Sequence, residues 1–198
     1  MRPSLNYKRQ CAGMQLRRLH VDKLPARQHS SCWLTASKHA HRYWQGKKKM
    51  SDNWLQFVPS DPEYQPSPEA AERARVLLAA FAPQADTVSV EFKESVQFFH
   101  PGSNWSGVEC SACGADAESW WNSAMESADE SGFRNLVTTA ACCGARVSLN
   151  DLRYPWAAAF GRFVLEAMNP NVRDLPPAEE EQLRAALGCD LRKVWVHI

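Results

Sequence analysis

The chain has 198 residues and a formal net charge of +1, but that value averages two opposite segments: residues 1–49 hold twelve basic side chains against one acid, Asp22, and residues 50–198 hold eleven against twenty-one. Whole-chain charge is therefore no guide to partners, and the asymmetry is itself a signal to explain. No apolar run reaches the roughly 18 residues of a membrane-spanning helix, and the N-terminus lacks the compact apolar stretch and small-residue cleavage site of a secretory signal, so the expected location is cytoplasmic and reducing, where cysteines serve as metal ligands or free thiols rather than in disulfides.

Residues 1–49 show no sustained hydrophobic period and read as a basic, disordered leader. Such a segment is similar to an organelle-targeting presequence or a nucleic-acid-binding arm. A plainer reading fits better. Gln45-Gly46-Lys47-Lys48-Lys49 stand directly before Met50, and their codons form a purine-rich stretch next to an ATG, as a bacterial ribosome-binding site does. The expectation is that translation starts at Met50. That leaves 149 residues, 50–198, enough for one domain with a real core.

Trp54-Leu55-Gln56-Phe57-Val58 is a short apolar run stopped by Pro59 and the Asp61-Pro62 turn signal, which predicts a buried strand. Ser67-Pro68-Glu69 then supplies a hydroxyl cap, a proline at the first helical position and an acid at the positive end. Ala71, Ala74, Leu78 and Phe81 share one face of a helix running to about Ala82, where Pro83 stops it. Thr87 to Lys93 alternates, with Val88, Val90 and Phe92 on one side and Ser89, Glu91 and Lys93 on a wet one. Apolar character continues to Phe98 and Phe99, until Pro101-Gly102-Ser103-Asn104 breaks it.

An insertion at about 105–150 separates this strand from the next, Phe160 to Met168, which Asn169-Pro170 closes. Pro176-Pro177 lead into a helix from Glu179 to Leu187 with Gly188 past its end. Val194, Val196 and Ile198 alternate in a last strand. The order strand, helix, strand, strand, helix, strand predicts an α+β fold of the split βαβ or ferredoxin-like kind: an antiparallel sheet with both helices on one face. Such a fold hosts many functions and supplies none by itself.

The insertion carries Cys110-Ser111-Ala112-Cys113-Gly114 and, after twenty-eight intervening residues, Cys142-Cys143-Gly144. A Cys-x-x-Cys-Gly turn brings two thiolates within reach of one zinc, with glycine letting the backbone curl around the sulfurs. Zinc needs four such ligands. Adjacent cysteines in a strand point to opposite faces, so Cys142 and Cys143 can both bind only from a turn, which Gly144 allows. The more usual second pair would put cysteine where Ala140 stands. Free thiols and a thioredoxin-like dithiol are the alternatives, but no βαβ unit delivers Cys110 to a helix start. His100 is a substitute ligand should Cys142 or Cys143 point away.

Between the pairs, Ala117, Trp120, Trp121, Ala124, Met125 and Ala128 follow helical spacing up to Gly132. The tryptophans are expected to cover the metal site and pack the insertion on the sheet; an exposed pair for stacking bases or gripping a peptide is the lesser reading. Leu136 to Ala140 and Arg146 to Leu149 predict a hairpin, so the insertion reads as a zinc ribbon with an added helix.

Trp54 with Pro59, the two cysteine motifs, Trp121, the run Ser148-Leu149-Asn150-Asp151-Leu152-Arg153-Tyr154 and the end Leu187-Gly188-Cys189 with Val194-Trp195-Val196-His197-Ile198 resemble a family of small uncharacterised bacterial proteins. The resemblance covers Met50 to Ile198. Some members of that family are called sugar transporter ATPases, but a P-loop needs Gly-Lys followed by Ser or Thr, and the one Gly-Lys, Gly46-Lys47, is followed by Lys48.

Asn150, Asp151, Arg153 and Tyr154 form the densest polar cluster near the hairpin. Asp151 could act as a base or bind a substrate cation; more often Asn-Asp after a strand is a turn that caps the next segment. Four thiolates saturate zinc and leave no position for water, so a four-cysteine site is structural, whereas a three-ligand zinc beside this cluster would allow an enzyme. His197 has no evident partner, and Cys189 reads as a small core residue. The leading expectation is a zinc-binding, non-enzymatic interaction module for a basic protein partner; an acid excess disfavours nucleic acid, for which Arg146, Arg153 and Arg162 are the obvious basic positions.

Overall fold

The computed structural model describes residues 51–198; the basic leader and the expected start at Met50 lie outside the described residues. The first apolar run forms strand β1 (Asn53–Pro59), and its alternation sets the plan of the domain. Leu55 and Phe57 point to one face of the sheet and Trp54, Gln56 and Val58 to the other. Helix α1 (Pro68–Phe81) starts where its capping residue dictates: the Ser67 hydroxyl accepts the Ala70 amide at 3.2 Å. It buries Ala70, Ala71, Ala74 and Leu78.

Strand β2 (Thr87–Phe99), strand β5 (Ala159–Met168) and strand β6 (Leu191–His197) complete a four-stranded sheet in the order β2-β5-β1-β6. Every pairing is antiparallel; Leu55 lies opposite Ala167 on one side and Trp195 on the other. Between β5 and β6 comes helix α3 (Pro177–Leu187), which begins two residues ahead of the sequence expectation because Pro177 itself takes the first turn. Leu78 of α1 and Leu183 and Leu187 of α3 close over Leu55, Phe57, Phe163, Leu165 and Ala167 in one buried core. Both helices therefore cover the same face of the sheet.

The opposite face is not uniformly wet. Ser89, Glu91 and Lys93 of β2 carry the polar side chains expected there, but Val58, Val164, Val194 and Val196 form a second buried cluster across β1, β5 and β6. Strand β2 also breaks its register: Phe92 lies opposite Phe163 and Gln97 opposite Gly161, so four residues of β2 face one of β5. The Gln65 amide spans this bulge, donating to the carbonyls of Lys93 and Arg162.

The insertion holds helix α2 (Glu118–Glu130) and a two-stranded hairpin of β3 (Val137–Thr139) and β4 (Arg146–Ser148). Its core of Val108, Cys110, Ala117, Ala128, Ala140, Val147, Leu149 and Leu152 runs on into Val96 and Phe160 of the large sheet. Trp121 packs as expected, with its ring 6.0 Å from Phe98, and Trp105 adds a ring 4.8 Å from Trp121.

Candidate metal centre

Two tight turns build the centre, and their backbones match. In the first, the Cys110 amide donates to Ala115 O and the Gly114 amide to Cys110 O; in the second, the Ala140 amide donates to Ala145 O and the Gly144 amide to Ala140 O. Gly114 and Gly144 close these turns at φ 74° and 73°, in the left-handed region that glycine enters without strain. Superimposing the two patterns pairs Cys110 with Ala140, Ala112 with Cys142 and Cys113 with Cys143. The second turn thus takes one sulfur from its closing position and the other from its apex.

The four sulfurs of Cys110, Cys113, Cys142 and Cys143 lie within 4.8 Å of one another. Cys110 Sγ is 3.8 Å from Cys143 Sγ, and Cys113 Sγ is 3.5 Å from Cys142 Sγ. A tetrahedron with metal–sulfur bonds of about 2.3 Å spaces its sulfurs about 3.8 Å apart, so the set fits one tetrahedral ion of thiolate preference. Adjacent Cys142 and Cys143 both turn inward because residues 141–143 form a turn rather than a strand, as the sequence demanded.

The four positions differ in their surroundings. Cys110 is buried, whereas Cys113, Cys142 and Cys143 are exposed. The Cys113 amide, aided by that of Ala112, aims at Cys110 Sγ and brings its thiol down to about 7 against desolvation. Desolvation, reinforced by the thiols of Cys113, Cys110 and Cys143, pushes Cys142 up to about 12 although the residue is exposed as a whole. Cys143 receives the Ala145 amide, yet desolvation and the thiols of Cys113 and Cys110 outweigh it and leave the group raised. Metal binding removes all four protons.

The polar residues nearby are occupied separately. Asn150 is buried; its Nδ2 donates to Ser60 O at 3.1 Å and its Oδ1 accepts the Phe160 amide at 3.0 Å. Asp151 pairs with Arg192 at 2.6 Å, and the same guanidinium reaches Asn150 O. Tyr154 donates to Leu149 O and accepts the indole N–H of Trp121. Arg153 lies against the first turn: its backbone pairs with Glu109 and its Nη2 reaches Ser111 O at 3.5 Å.

His100 is not part of the sulfur cluster; its Nδ1 accepts the Gly102 amide, and its ring stacks on Phe98. His197, without an evident partner in sequence, has one 144 positions away: its Nδ1 is 2.6 Å from Asn53 Oδ1. Strand pairing brings those residues opposite each other. Cys189 packs at the edge of the main core. Trp105 and Glu109 escaped sequence reasoning; the first follows a turn signal without any periodic pattern, and the second pairs only through its backbone. Comparison of the chain with protein-family models, curated proteins and solved structures gave no match.

Proposed function

We propose that this chain is a zinc protein in which the metal is structural and the surrounding α+β domain serves as a non-enzymatic module for binding a basic protein partner. One observation carries the reading: four cysteine sulfurs converge on two matching turns at the spacing of a closed tetrahedron. Zinc is the ion of choice for four thiolates in a chain expected to work in a reducing bacterial cytoplasm. The ligand set and the hairpin favour a zinc-ribbon-like insertion. The strand order with β1 and β5 innermost and both helices on one face favours the ferredoxin-like frame. A closed set leaves zinc no position for water, and Asn150, Asp151 and Tyr154 already serve hydrogen bonds and an ion pair within the fold, which speaks against the three-ligand enzyme.

The partner's sign follows from charge. Residues 50–198 hold twenty-one acids against eleven bases, so a basic protein gains encounter rate and a nucleic acid is repelled. Metal analysis of the full chain tests the reading. One zinc per chain, resistant to moderate chelators and lost in Cys110→Ser, is expected; a protein that carries no stoichiometric zinc, or a Cys110→Ser variant that keeps its zinc and its melting temperature, refutes it.

A further inference from the structure

The two turns share two backbone hydrogen bonds but not one ligand pattern. In the first, sulfur comes from the opening residue, Cys110, which is buried and receives the amides of Ala112 and Cys113. In the second, the opening residue is Ala140, fully buried, and the sulfur comes instead from Cys142 at the apex. That displacement has two chemical consequences. The amides of Cys143 and Gly144 are spent on Ala140 O rather than on the apex sulfur, and Cys142 is exposed. Once zinc has deprotonated all four thiols, the thiolate with least hydrogen bonding keeps the most electron density and is the strongest nucleophile.

From this asymmetry we infer that Cys142 is the site at which hydroperoxides attack the loaded centre, and that its oxidation to a disulfide with Cys113 expels the zinc. The inference rests on the zinc reading above. Its steps balance. The Cys142 thiolate attacks one oxygen of hydrogen peroxide, the O–O bond breaks, and the departing hydroxide takes a proton to become water, leaving a sulfenic acid. The Cys113 thiolate, 3.5 Å away, then attacks the Cys142 sulfur. The S–O bond breaks and a second hydroxide leaves, again protonated to water. Two thiolates lose two electrons in all, one peroxide gains them, and two protons are consumed. Zinc retains only Cys110 and Cys143 and dissociates as the dication. Reduction of the disulfide by a dithiol restores the site.

Full-length, zinc-loaded protein is treated with hydrogen peroxide while a metal-responsive dye follows released zinc and mass spectrometry maps the disulfides. Zinc content before treatment tests the metal reading separately; a chain without zinc overturns that reading and this inference together. With zinc bound, the expected early product is the Cys113–Cys142 disulfide, formed in step with zinc release and reversed by dithiothreitol. The decisive variant is the double substitution Ala140→Cys/Cys142→Ala, which moves the fourth sulfur to the amide-supported opening position. Release should slow by about tenfold or more, on the scale that supporting hydrogen bonds alter metal sites. Equal release rates in the two proteins, or a first disulfide between Cys110 and Cys143, overturn the inference. The wild-type disulfide map decides alone should the relocated variant fail to hold zinc.

Discussion

Tyr154 shows how a single side chain near the centre is committed to structure. Burial, opposed weakly by the Trp121 hydrogen bond and by Arg192, pushes its phenol up to about 12 from 10.0. The neutral phenol is thus favoured in the fold. For an acid whose folded value is raised, the contribution to stability is whole below the unfolded value and is lost as pH climbs toward the folded one. Tyr154→Phe should cost roughly 1–2 kcal/mol at neutral pH, because Leu149 O and the Trp121 indole lose their partner. The gap between wild type and variant should then narrow as pH rises from 10.0 toward about 12, since only the wild type carries the titrating phenol. Denaturant unfolding across that range reads the effect directly; a gap that stays constant means the phenol is not held neutral by the fold. Tyr154 was visible in the sequence only as one of four clustered polar residues. Its partners Trp121 and Leu149 lie 33 and 5 positions away, and no local pattern joins them.

At the scale of elements, periodicity made most of the frame legible. β1, α1, α2, β5 and α3 fall within a few residues of where apolar spacing and capping residues put them, because each signal is local. The β2 bulge and the buried far face were not legible, since both depend on which strands lie side by side. Gly161 marks that dependence. It sits at the register shift, and a Cβ there would stand 2.5 Å from Val58 Cγ1 on the neighbouring β1. Nothing in the flanking Phe160 or Arg162 announces the contact. Gly161→Ala is expected to destabilise by about 1–3 kcal/mol through overpacking. Val58→Ala removes the obstructing methyl, so the double variant should lose less than the two single losses added together. Additive losses in a thermal or denaturant cycle would mean that Val58 does not set the limit and that the strand shifts instead.

Apart from the small cluster on the far face of the sheet, the domain joins two larger cores through one strand pair. Leu55, Phe57, Leu165 and their neighbours lie beneath α1 and α3, while the insertion core gathers around Cys110 and Ala140 and borrows Val96 and Phe160 from β2 and β5. Metal binding at such a centre is folding free energy for whatever the ligands hold together. Cys110 and its turn anchor Ala117, the residue before α2, through the Val108 carbonyl, and Ala140 connects the second turn to β3. The main core, in contrast, draws on no residue between 105 and 150. The four cysteines were legible because turn chemistry is written in adjacent residues, whereas their independence from the main core follows only from which side chains pack together. Removing the bound metal with a strong chelator should therefore strip amide-exchange protection from α2, β3 and β4 while β1, β5 and β6 keep theirs, with partial loss at Val96 and Phe160, where the cores meet. Protection lost together from all strands would show that the metal holds one cooperative unit, and unchanged protection in the hairpin would show that packing alone maintains the insertion.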